Sequence, residues 1–185
     1  MFLMSTRGEA FFNKYSNLAP VAHPHIYGRD DSNPYYDFLY HLSMDVKPDL
    51  TVELGCCTGG STSYLAAGTK GKVVSIDIFL QEGAKSKLSV FPNIQLIGAD
   101  TRDPQTAELI SKMGEIDILF IDTDHTADQV AQEMNLFRPL MKKGGIILLD
   151  DIRVQSGLSR WWDELEEDKL EMPHLHWTSF GIVFV

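Results

Sequence analysis

Five acids or acid pairs stand at the ends of short apolar runs in this sequence: Glu53, Asp77, Asp100, Asp122 and the pair Asp150-Asp151. In an open parallel sheet, ligands bind beyond the carboxyl ends of the strands, so acids gathered there can address a ribose, a base or a cation. Around the first of them the chain reads Val52-Glu-Leu-Gly-Cys-Cys-Thr-Gly-Gly-Ser61. Its glycines allow a sharp turn and close approach to a ligand, and Ser61 falls where a helix would begin with its N–H groups free. The spacing is not the Gly-x-Gly-x-x-Gly of dinucleotide folds, which disfavours a nicotinamide-dependent dehydrogenase, and it lacks the Gly-Lys-Ser/Thr ending of a phosphate loop. Alone, the segment is either a ligand-binding turn or a tight strand–helix corner. Asp77, at the end of the next run, has the position of a carboxylate that accepts both hydroxyls of a ribose. Asp100-Thr101, one run further, can address an adenine edge. Singly, each acid also serves as a helix cap or a solvated turn; their joint placement favours a nucleoside ligand.

A second constellation is Asp122-Thr-Asp-His125 with Asp150-Asp151. Three carboxylates from two neighbouring strand ends (Asp122, Asp150 and Asp151) make an oxygen-rich site suited to a hard divalent cation such as Mg²⁺. Left unpaired, they would raise one another's pKa. His125 can act as a general base at neutral pH or serve as a structural histidine at a helix start, and Asp124 is a candidate helix cap. His23, His25, His41, His174 and His176 show no metal-ligand spacing. The adjacent thiols Cys56 and Cys57 can neither staple a fold nor hold zinc.

The elements that must position these residues alternate in type. Strands are expected at 49–54, 72–76, 93–97, 116–121 and 145–149, with helices at 61–67, 81–88, 104–113 and 127–141 between or after them. Pro104 after Asp103 suits a helix start, and Gly144-Gly145 suits a helix stop before the fifth strand. Nearly continuous apolar strands separated by helices predict a doubly wound, mostly parallel α/β sheet in a single domain. Residues 1–33 read as irregular, leading to a helix at 34–44 capped by Ser32 or Asn33. An amphipathic helix is expected at 157–167, with the acids of Glu164–Asp168 on a solvated face. A closing pair follows at 175–177 and 182–185.

Composition narrows the partners. The net charge of −10 and scattered basic residues disfavour nucleic acid, which requires clustered Lys and Arg. No apolar run approaches the roughly 18 residues of a membrane span. The reading is therefore a cytoplasmic protein with a small-molecule substrate. Trp161-Trp162 and Tyr35-Tyr36, taken as exposed, would suit a homodimer contact, and Trp161 and Trp162 also suit packing or a substrate wall.

Taken together, Val52–Ser61, Asp77, Asp100 and Phe120-Ile-Asp122 resemble the class I S-adenosylmethionine-dependent methyltransferases. Within that class they are similar to small O-methyltransferases related to catechol methyltransferase and to the cephalosporin-hydroxylase-like group. The resemblance covers about residues 50–152 and implies a Rossmann-like sheet of seven strands with the last antiparallel. It implies that Gly55, Gly59 and Ser61 hold the methionine portion of S-adenosyl-L-methionine, Asp77 the ribose, and Asp100 with Thr101 the adenine region. Glu53, Cys56 and Asp122 join this cofactor-binding set, Glu53 as a support of the loop rather than a reacting group. Metal-dependent relatives carry an acid after the fourth strand and an acidic or amide pair after the fifth, matching Asp122, Asp150 and Asp151, with Asp122 and His125 as the catalytic pair. His125 replaces a lysine, and the second acid of the pair replaces an amide. That extra charge would strengthen metal binding or signal another substrate geometry. The implied activity is methyl transfer to a small-molecule hydroxyl with a divalent metal; the alternatives are metal-free transfer or a repurposed binding module.

Overall fold

The computed structural model describes residues 5–26 and 34–185. The sheet has seven strands in the order β3-β2-β1-β4-β5-β7-β6. These are β1 (Leu50–Leu54), β2 (Lys72–Asp77), β3 (Ile94–Gly98), β4 (Ile116–Ile121), β5 (Met141–Leu149), β6 (Lys169–Met172) and β7 (Phe180–Phe184). The first five pair in parallel, and β7 runs antiparallel to both β5 and β6. β1 and β4 are buried along their whole length, which explains their mainly apolar sequences: both faces are covered, and the polar members Thr51, Glu53 and Asp117 are buried with the rest. Period-2 alternation divides each strand between two cores. Ile118 and Phe120 pack beneath α2 (Tyr35–Val46), α3 (Gly60–Ala67) and α4 (Glu82–Leu88). Leu119 and Ile121 pack on the other face, beneath α5 (Pro104–Ser111), α6 (Ala127–Phe137) and α7 (Ser156–Glu164). Among the described residues, no helix is long and apolar enough to cross a membrane.

Asp103 caps α5 through the Gln105 N–H, with Pro104 in the first turn, as the sequence predicts. Several other expectations are corrected. Residues 1–33 are not wholly irregular: Ser5 caps a helix, α1 (Thr6–Tyr15), whose Phe11 and Tyr15 pack on the core. The proposed caps Ser32 and Asn33 lie outside the described residues, and Pro34 occupies the N-cap of α2. α6 ends at Phe137 and gives way to a 3₁₀ turn at Arg138–Leu140, because Pro139 has no N–H to continue the ladder. Gly144 and Gly145 are not a helix stop. They lie inside β5, where Gly144 takes φ +86° and donates to the Val185 carbonyl. α7 stops at Glu164, so most of the acidic run lies beyond it, and Glu167 pairs with Arg138 at 2.7 Å. The strand preceding β7 is 169–172, not 175–177; the latter belongs to the turn that carries His176 to the strand ends.

Candidate active site

All five acidic positions of the sequence reading fall at the carboxyl edge of the sheet or just inside it. The loop leaving β1 is built around two of them. Glu53 is fully buried and accepts hydrogen bonds from the hydroxyls of Ser61 (2.5 Å), Thr62 and Ser75. Burial pushes its carboxyl up to about 7 against the pull of those three donors. Asp77 accepts from the N–H groups of Cys56 (2.9 Å), Cys57 (2.8 Å) and Phe79 (2.9 Å). The loop is therefore shaped by two carboxylates beneath and beside it. Gly55 takes φ +96°, and a Cβ there would lie 2.0 Å from the Asp122 carbonyl oxygen. Gly59, at φ +73°, is the N-cap of α3 and admits no Cβ without pressing on Leu88.

A cleft of about 360 Å³ opens in front of this loop, lined among others by Gly55, Cys57, Asp77, Asp100, Thr101 and Asp122. Four expected cofactor residues lie behind it rather than in its wall. Glu53, Ser61 and Cys56 are buried, Cys56 with its Sγ 3.7 Å from the Thr62 hydroxyl, and Gly59 contributes backbone shape. Cys57, given no ligand role by the sequence, is exposed and lines the cleft at φ +45°. On the opposite side Asp100 grips Arg102 through both oxygens (3.1 and 3.0 Å), which holds its carboxyl below the usual carboxylate range. Thr101 donates to buried Glu133 (2.5 Å), which also accepts from Thr123 (2.8 Å) and Gln129 (2.8 Å). Glu133 escaped the sequence reading. Its one signal is an acid on the apolar Val130-Met134-Phe137 face of α6.

The second constellation does assemble, with additions. His125, at φ +49°, places Nε2 3.6 Å from Asp122 Oδ1 and 3.4 Å from Asp151 Oδ2. Asp151 is itself left-handed, at φ +57°. Non-glycine residues in that region carry strain that surrounding structure must hold, a habit of functional sites. Burial, and then the charges of Asp150, Glu53 and Asp151, raise the Asp122 pKa far above the usual carboxylate range, opposed by a hydrogen bond from the Tyr35 hydroxyl. Tyr35 is only 4% exposed and is clamped by its N–H on the Leu175 carbonyl (3.1 Å). Burial and the charges of Asp122 and Asp150 raise its phenol well beyond the usual tyrosine range. Tyr35 is thus a wall of this centre and not an exposed dimer contact; Trp162, 2% exposed, is likewise core.

The larger revision concerns His176. Its Nδ1 stands 3.0 Å from Asp150 Oδ1 and 2.9 Å from Asp151 Oδ1, and the Asp150 carboxylate raises its pKa above the ordinary histidine value. Among the described residues, the group able to converge on one cation is Asp150, Asp151 and His176, with ligand atoms within 4.8 Å of one another. Asp122 stands outside that group. Two backbone bonds, from Ile152 to Ser179 and from Arg153 to Thr178, tie the loop after β5 to the turn before β7. They bring together residues that sequence spacing keeps about 25 apart.

Residues 35–167 match the model of the family "Rhamnosyl O-methyltransferase/CmcI". The chain belongs to this family. A rhamnosyl O-methyltransferase of Mycobacterium tuberculosis is 28% identical over 123 residues, covering 61% of this chain and 49% of that protein. The chain thus spans about half the length of the curated relatives it matches. Among solved structures, the O-methyltransferase TomG of Streptomyces achromogenes, in complex with SAM, superposes with a TM-score of 0.65 at 16% identity over 100% of this chain and 99% of that one. The MycE methyltransferase of the mycinamycin pathway, in complex with Mg, SAH and mycinamycin VI, gives 0.53 at 19% identity over 68% and 34%. These likenesses show the family's methyltransferase fold, and the match includes α2 with Tyr35 as well as the glycine loop and both acid clusters.

Proposed function

We propose that this chain binds S-adenosylmethionine in the cleft before the Gly55–Gly59 loop and transfers its methyl group to a hydroxyl of a small molecule, with a divalent cation assisting. The observation that carries this reading is the adjacency of the two halves. Asp122 lines the cofactor cleft and, through His125, adjoins Asp151. Membership in a family named for rhamnosyl O-methylation supports a sugar or other natural-product hydroxyl as acceptor. Trp177, 83% exposed and 6.1 Å ring to ring from His176, offers a face on which such a ring could stack.

In the reaction, the acceptor oxygen attacks the methyl carbon in line, the carbon–sulfur bond breaks, and the sulfonium becomes a neutral thioether. The hydroxyl proton leaves to His125 Nε2, and Asp122 and Asp151 flank the imidazolium that results. Cys57 and Asp77 hold the donor at one wall while Tyr35 closes the other against water. The donor set fits a cation: Asp150 is 5% exposed and its Oδ1 has no hydrogen bond of acceptable geometry, an expensive state for a buried carboxylate. A cation held there would lower the pKa of the acceptor hydroxyl and orient it.

The test is transfer of labelled methyl from S-adenosylmethionine to a panel of rhamnosides and phenols, before chelation, after it, and after Mg²⁺ or Mn²⁺ is restored. Transfer that falls on chelation and returns with metal supports the proposal. Failure of calorimetry to detect S-adenosylmethionine binding refutes it, and transfer indifferent to chelator removes the cation.

A further inference from the structure

The proposed cation site differs from an all-oxygen cage because an imidazole enters it. His176 approaches both acids of the pair from the turn before β7. Its Nδ1 lies 3.0 Å from Asp150 Oδ1, 2.9 Å from Asp151 Oδ1 and 3.0 Å from Thr178 Oγ1. One nitrogen with at most one proton therefore faces three oxygens. Thr178 already donates its own proton to Asp151, while Asp150 Oδ1, buried and close to Nδ1, receives no hydrogen bond of acceptable geometry. The spacings are those of a ligand set. Nitrogen and oxygen ligands at about 2.0–2.2 Å from a metal stand roughly 3 Å apart along a right-angled edge of its coordination shell. The frame that holds the three residues is tied together by bonds of its own. Arg153, whose N–H bonds the Thr178 carbonyl, also ion-pairs with Glu171 on β6, and Ser179 donates to the same Glu171 (2.7 Å).

We propose that His176 Nδ1 is a metal ligand alongside Asp150 and Asp151, and that the site therefore selects a later first-row transition ion such as Co²⁺ or Zn²⁺ over Mg²⁺. This rests on the cation reading above and deepens it by assigning the nitrogen donor and the metal class. The chemistry follows from the donor set: carboxylates alone suit Mg²⁺, Ca²⁺ and Mn²⁺, whereas imidazole adds strong preference for transition ions. Mg²⁺ holds its hydration shell and is seldom bound through dedicated protein ligands such as this. His125 is the competing nitrogen, with Nε2 3.4 Å from Asp151 Oδ2. It faces the other oxygen of that carboxylate and is not among the residues that converge as a ligand group.

Pulsed electron paramagnetic resonance of the whole chain loaded with Mn²⁺ reads the ligand directly. The expected result is a directly bound ¹⁴N signal that shifts to the ¹⁵N pattern when histidine is isotopically labelled, so no substitution is needed to see it. The signal should persist in His125→Gln and vanish in His176→Gln. Calorimetry should show Co²⁺ binding at least 10-fold tighter than Mg²⁺, with His176→Gln weakening Co²⁺ by about 10–100-fold, in the range seen when support of a metal ligand is lost. Mn²⁺ bound without a nitrogen signal, or with one that disappears only in His125→Gln, overturns this assignment and leaves the cation reading standing. No binding of Mn²⁺, Co²⁺ or Mg²⁺ overturns both, and leaves the His176 imidazolium as the fixed cation between the two carboxylates.

Discussion

Replacing Gly55 with alanine should damage stability and cofactor affinity together, because one glycine joins the loop to the acid beside it. The new Cβ would sit 2.0 Å from the Asp122 carbonyl oxygen and 2.7 Å from its carbon. Both atoms are backbone, at the point where the Asp122 N–H donates to the Leu54 carbonyl at 2.8 Å, so no flexible side chain can give way. Relief requires about 1 Å of movement between β1 and β4, which are paired and buried, and overpacking of this kind costs about 1–3 kcal/mol. The left-handed φ of +96° adds about 1–2 kcal/mol for a residue with a Cβ. The sum, roughly 2–5 kcal/mol, should lower the melting temperature on the order of 10 °C for a domain of this size. Guanidinium unfolding measures the loss, and calorimetry with S-adenosylmethionine should show affinity falling in parallel at temperatures where the variant remains folded. A variant within 0.5 kcal/mol of the parent, binding the cofactor normally, would refute the idea that loop and acid form one rigid unit.

Two further outcomes follow from the site. Glu53 titrates near 7 when folded against 4.5 for the free side chain. Between those values the unfolded chain is ionised while the folded one keeps its proton, so stability declines as pH rises through that window, by about 3 kcal/mol at roughly 1.4 per unit. Denaturation at several pH values should show this slope in the parent and its loss in Glu53→Gln; a parent curve flat from pH 4.5 to 7 contradicts it. Trp177→Ala should raise the acceptor KM about 5-fold or more, in line with the worth of one stacking contact, while S-adenosylmethionine affinity stays unchanged. An equal loss in both would place Trp177 in the fold rather than the acceptor site.

Much of the architecture was legible because burial on both faces writes itself into strands such as Ile116–Ile121 as a nearly continuous apolar sequence, interrupted only by Asp117. The acids at strand ends stood out for the complementary reason: charge next to such a run needs a purpose. What stayed hidden depends on contacts between distant segments. Asp77 read as a ribose-binding acid, yet the bonds its carboxylate accepts come from the loop's own N–H groups, and no spacing rule distinguishes a carboxylate that shapes a loop from one that meets a ligand. Tyr35 looked exposed because its neighbours in sequence are polar or aromatic; its burial comes from Leu175 and Phe180, far along the chain. His176 had no ligand spacing to betray it, since its partners come from the other side of α7. The glycines at 144 and 145 misled because a left-handed glycine ends helices and also bends strands.

The carboxylate of Asp77 receives three backbone N–H groups. That number bears on time as well as on shape. A loop ordered in advance need not be folded by its ligand, so the conformational entropy of ordering is already spent when the ligand arrives. Encounter is then limited by diffusion and by displacement of water from the cleft, and differences in affinity among related ligands appear as differences in residence time. For the methyl donor proposed above, whose spent product must leave after every turnover, a cradle held by its own N–H groups is a way to keep exchange fast.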